Sequence, residues 1–219
     1  MSNDPSIFIE LGIDWDELAT RSDKAGFPPE KLKLWGRENR LEVLLMQLKA
    51  VDSAAPRSAA DLSLRLLAHA HPECSFRWIE LKLDFAAIPQ AKVEDFSPKE
   101  VKGTEPIKIT STYKGGLSFE LETAKLGPNL ELERSKEYQI YFPEILGTGI
   151  GTSMIHWTFS ALPGQKLYED RELKALVSAA AGVVFEGIEL GVKAKLQVEG
   201  VLGWLPVVGR KRVAFRHVV

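Results

Sequence analysis

The chain has 219 residues, 28 basic against 30 acidic side chains and a formal charge of −2. That is globular make-up without the concentrated basic charge that would select a nucleic-acid partner. One cysteine, Cys74, excludes an intramolecular disulfide, and the start shows no cationic, apolar leader pattern, so the sequence reads as cytoplasmic. No stretch reaches the ~18 consecutive apolar residues of a membrane-spanning helix.

The first third carries helical spacing. In DWDEL, Asp14 suits an N-cap and Glu17 stands where it reaches back to the cap, with Trp15, Leu18 and Ala19 on one face. GFPPEKLKLW offers a second start, with proline in the first turn, where amide hydrogens lack partners in any case. Leu41, Leu44, Leu45, Leu48 and Val51 recur at three- and four-residue spacings and predict a third helix. RSAADLSLRLLAHA predicts a fourth, capped by Ser58 and Asp61, with Leu62, Leu66 and Ala70 on one face; Pro72 closes the region.

From Cys74 the period becomes two. FRWIELKLDF sets Ile79, Leu81, Leu83 and Phe85 against Trp78, Glu80, Lys82 and Asp84. IKITST follows, then YKGGLSFELE, where Gly115-Gly116 fits a two-residue hairpin turn. LELE extends that strand beyond Pro128, and EYQIYF makes another. GTSMIHWTFSA alternates Ile155, Trp157 and Phe159 with polar or small neighbours, and ELKALVSA reads as a strand among strands. GIELGVKAKLQVEG alternates without a break from Ile188 to Val198, and RVAFRHVV closes the chain the same way. No helical crossover stretch separates these runs, which favours antiparallel pairing. The expected fold is therefore α+β: a helical N-terminal section, 1–72, followed by a mostly antiparallel β-sandwich of about eight or nine strands, 73–219.

Catalytic and metal chemistry find little purchase. HAHPEC brings His69, His71 and Cys74 close, but a structural zinc site takes four ligands and no second short-spaced pair exists. His156 and His217 sit inside predicted strands. No serine stands in a Gly-x-Ser-x-Gly elbow. Gly147, Gly149 and Gly151 precede a β-type alternation rather than a helix, so they read as a bulge or wide turn and not as a phosphate cradle. No cofactor, metal or catalytic residue is assigned.

What remains is EGVLGWLPVVGRKRV. Glycines and Pro206 punctuate it as they would a loop, yet Val201, Leu202, Trp204, Leu205, Val207 and Val208 crowd it with apolar side chains. Trp204 suits an interface anchor, and Arg210, Lys211 and Arg212 a basic rim. The first expectation is a non-catalytic assembly subunit or adaptor docking a protein partner, or a second copy, through these nine residues. The alternative is a membrane-acting or pore-forming protein that uses the same segment or the 151–161 strand, whose Ser/Thr/Gly-rich alternation suits an inserting hairpin. A third reading is an enzyme or small-ligand binder with a site assembled from distant residues.

Overall fold

The computed structural model describes residues 6–14, 16–17, 27–51, 57–102, 107–111, 136–140, 143–161, 167, 170–200 and 204–213. These residues contain the helix α1 (Pro29–Glu38) and fourteen strands, with Asp16 and Glu17 helical as well. The strands are β1 (Ser6–Glu10), β2 (Gly12–Ile13), β3 (Arg40–Val51), β4 (Arg57–His69), β5 (Cys74–Asp84), β6 (Lys92–Ser97) and β7 (Glu100–Lys102). They continue with β8 (Ile107–Ser111), β9 (Lys136–Ile140), β10 (Pro143–Thr148), β11 (Met154–Ser160), β12 (Asp170–Ala180), β13 (Ile188–Val198) and β14 (Trp204–Val213).

Three antiparallel sheets result. Five strands pair in the order β1-β3-β4-β12-β6, seven in the order β2-β14-β13-β5-β11-β10-β7, and β8 with β9 make a ribbon of their own. Ala60, Leu62, Leu64 and Leu66 of the smaller sheet share one core with Ile79, Leu81, Leu83, Ile155, Trp157 and Phe159 of the larger. Each such leucine, isoleucine or phenylalanine contributes roughly 1.5–3 kcal/mol by leaving water.

The expected α+β fold is overturned. There is no N-terminal helical section, and the chain is not the expected eight- or nine-strand sandwich but a mostly β fold of two large antiparallel sheets and a ribbon. The two clearest helices of the sequence reading are the paired strands β3 and β4. The reason lies in a bulge. Leu41, Val43 and Leu45 oppose Ala68, Leu66 and Leu64; the register then shifts, and Leu48 opposes Leu62. One extra residue, the exposed Met46, turns a spacing of two into a spacing of three and imitates a helical period. In β4 the buried Leu62 and Leu66 are four apart, a spacing compatible with either period, while the equally buried Leu64 between them belongs only to a strand.

The second predicted helix does form, as α1. Pro29 occupies its first turn, and Leu32 and Trp35 are its buried face, with Phe27 set edge-on to Trp35 at 6.1 Å. At Asp14 the capping contact exists: the Glu17 amide donates to Oδ1 at 3.0 Å. Trp15, Leu18 and Ala19 lie outside the described residues.

Candidate functional site

The segment expected as a loop around Trp204 is strand β14, hydrogen-bonded along its length to β13 from Gln197↔Trp204 to Ile188↔Val213. Its alternation therefore has a structural cause. Leu205 and Val207 are core residues, Trp204 and Val208 are half-buried on the outer face, and Arg210, Lys211 and Arg212 are exposed. Val201 and Leu202 lie outside the described residues. The structure thus brings most of the nine residues onto one strand but splits them between its two faces.

On the outer face Trp204 has company. The Lys195 ammonium lies 4.1 Å from the centroid of the Trp204 ring and 5.4 Å from that of Trp78. Lys195 is directly opposite Trp78 in the β13–β5 register. Neither Trp78 nor Lys195 stands out when only a single segment is searched. The available signal was an indole on the charged side of an alternating strand, between Arg77 and Glu80.

The 151–161 strand is placed differently. As β11 it runs between β10 and β5, and Ile155, Trp157 and Phe159 are fully buried. Trp157 Nε1 donates to the Pro98 carbonyl at 3.1 Å, and its ring meets Phe96 edge-on. Drawing this strand into a bilayer would dismantle the core. Gly149 and Gly151 turn the chain from β10 into β11 at positive φ, and a Cβ on Gly149 would fall 2.1 Å from the Met154 carbonyl oxygen.

HAHPEC is dispersed by its own backbone. His69 Nε2 lies 3.7 Å from Glu42, and His71 Nε2 lies 3.6 Å from Glu38. His71 Nδ1 accepts the Glu73 amide, and burial pushes the Cys74 thiol up. Among the described residues no group of three or more His, Cys, Asp or Glu side chains is placed to hold a metal ion. A groove of ≈ 350 Å³ bordered by Glu38, Arg40, Glu42 and His69 mixes both charge signs.

The ribbon is the remaining feature. β8 follows β7 and β9 precedes β10, and β7 and β10 are themselves neighbours, with Lys102 opposite Pro143. IKITS pairs with KEYQI, and the turn expected at Gly115-Gly116 lies outside the described residues. The register alternates in character. Ile107↔Ile140 and Ile109↔Tyr138 occupy one face, and Lys108↔Gln139 and Thr110↔Glu137 the other; Ser111↔Lys136 ends the apolar series.

No family model and no curated protein matches the chain. Solved structures do. Clostridium perfringens delta-toxin is 12% identical with a TM-score of 0.38, over 81% of this chain and 81% of that one. A structure described as a pore forming protein is 9% identical with a TM-score of 0.35, over 79% of this chain and 81% of its own. Likenesses this loose do not assign an activity.

Proposed function

We propose that this chain is a membrane-permeabilising subunit that inserts the segment between β7 and β10 as a β-hairpin and acts as an assembly of copies. The observation that carries the reading is the two-faced β8–β9 ribbon, separate from both large sheets. The sequence between its strands keeps the same parity. Tyr113, Leu117, Phe119 and Leu121 follow Ile107 and Ile109, while Lys114, Ser118, Glu120 and Glu122 follow Lys108 and Thr110. On the return, Leu130 and Leu132 share parity with Tyr138 and Ile140, and Glu131 and Glu133 with Glu137 and Gln139. Apolar-out, polar-in alternation over limbs of at least ~9–11 residues is what a membrane-crossing strand requires. Among the described residues no helix is long and apolar enough to cross.

Self-assembly follows from the same physics. A lone hairpin in lipid leaves two edges of unpaired amides and carbonyls, each costing several kcal/mol, and only closure with other hairpins removes them. The test is dye release from phosphatidylcholine–phosphatidylserine vesicles. The wild-type chain releases dye, Leu117→Arg does not, and Leu117→Ile does, all with one melting temperature. A charge on the lipid face at the midplane costs ~2–4 kcal/mol per strand, multiplied across the copies. Absence of wild-type release, or full release by Leu117→Arg, overturns the reading.

A further inference from the structure

The Trp78–Lys195–Trp204 cluster has a second property, its position. Ser160 opposes Trp78, and the Ala161 amide donates to the Arg77 carbonyl at 2.9 Å. Ile145 opposes Phe159, so continuing that register sets Pro143 beside Ala161, and Lys102 opposes Pro143. The row of the large sheet from which the ribbon departs is therefore the row of Arg77 and Trp78. Trp78 stands two strands in from β10, about 10 Å at ordinary strand spacing.

Three features near that row, with Trp204 lying beyond it in the row of Ser75, bear on one another. Two indoles lie half-buried on an outer face rather than in the core, although the chain's Trp35 and Trp157 are fully buried. An ammonium lies over both rings, and among the described residues it meets no carboxylate. The cluster occupies the end of the sheet that the ribbon leaves. Indoles favour the headgroup level of a bilayer, where an apolar body and a polar N–H are both accommodated. A lysine stem lying along aromatic faces keeps its charge at the same level, where the lipid phosphates are.

We propose that Trp78, Lys195 and Trp204 form a phospholipid contact, with the ammonium on the lipid phosphodiester and the two indoles in the headgroup and ester layer. The inference rests on the membrane-inserting reading and adds to it the surface that holds the large sheet against the bilayer while the ribbon enters. Lys195 is the pivot: the two rings hold its ammonium at the level where the proposal places the lipid phosphates.

The experiment measures co-sedimentation with phosphatidylcholine–phosphatidylserine vesicles, together with quenching of tryptophan fluorescence by lipids brominated near the ester. The full-length wild type binds and is quenched. Trp78→Ala with Trp204→Ala binds about tenfold more weakly, equivalent to ~1.4 kcal/mol, and loses the quenching. Lys195→Gln weakens binding in the same direction while leaving both rings. Undiminished binding by a folded double variant overturns the contact. If the double variant does not fold, the wild type decides through the same brominated lipids, and lack of quenching overturns the contact. Wild-type binding and quenching without dye release leave the lipid contact standing and remove the pore-forming reading.

Discussion

Asn39 ties α1 to the sheets. It is fully buried, its Nδ2 donates to the Trp35 carbonyl at 2.7 Å, and its Oδ1 accepts the His71 amide at 2.9 Å. One side chain thus caps α1 and fixes the turn between β4 and β5. Asn39→Ala leaves the His71 amide without that partner, at ~1–3 kcal/mol, while the Trp35 carbonyl keeps the Asn39 backbone amide at 3.1 Å. Urea unfolding is expected to show a fall of about 1–3 kcal/mol with the slope unchanged; an unchanged midpoint would mean that water replaces the amide. The hydropathy of α1 does not disclose this role, because a polar residue after a helix reads first as an exposed cap.

Among the elements, β11 and the β8–β9 ribbon look alike in sequence and differ in placement. Both alternate, and the 151–161 run is the richer in serine, threonine and glycine. Yet β11 has a hydrogen-bonded strand on each side and a core beneath it, whereas among the described residues β8 and β9 pair only with each other. Trp157→Ala should accordingly destabilise the whole fold by ~3–5 kcal/mol in thermal or chemical unfolding. A normal melting temperature for that variant would contradict the central position of β11. The same comparison explains β14: Pro206 opposes Lys195 and the strand is bordered by only two residues of β2, at Gly12 and Ile13, so proline and glycine are tolerated there. Those breakers are what made it resemble a loop.

At the scale of the molecule, two large sheets with one core form the body, and the ribbon leaves it between edge strand β7 and its neighbour β10. In the proposed reading, insertion of one ribbon is opposed by its open edges, so that reading requires a closed ring whose assembly precedes leakage. The rate of dye release is therefore expected to rise more steeply than in proportion to protein concentration, and cross-linking on vesicles to yield one discrete oligomer absent from solution. Proportional kinetics with only monomer on the vesicles would rule out a closed assembly. The body contributes stability that the hairpin lacks, because an isolated pair of strands is marginal in water.

The long alternating runs, β5 and β13 above all, declared themselves by the period of two that any half-buried strand imposes, and α1 by its proline start. The alternation within IKITS and within KEYQI was equally present in the order of residues. Other features needed the third dimension. A bulge changes the phase of an alternation without leaving a residue that marks it, so β3 was indistinguishable from a helix until β4 was seen beside it. Burial on both flanks separates β11 from the ribbon, and that depends on neighbours far away in the chain. Trp78, Lys195 and Trp204 meet only because β5, β13 and β14 are adjacent strands, and strand order is decided by how the sheets pack, not by any spacing along the chain.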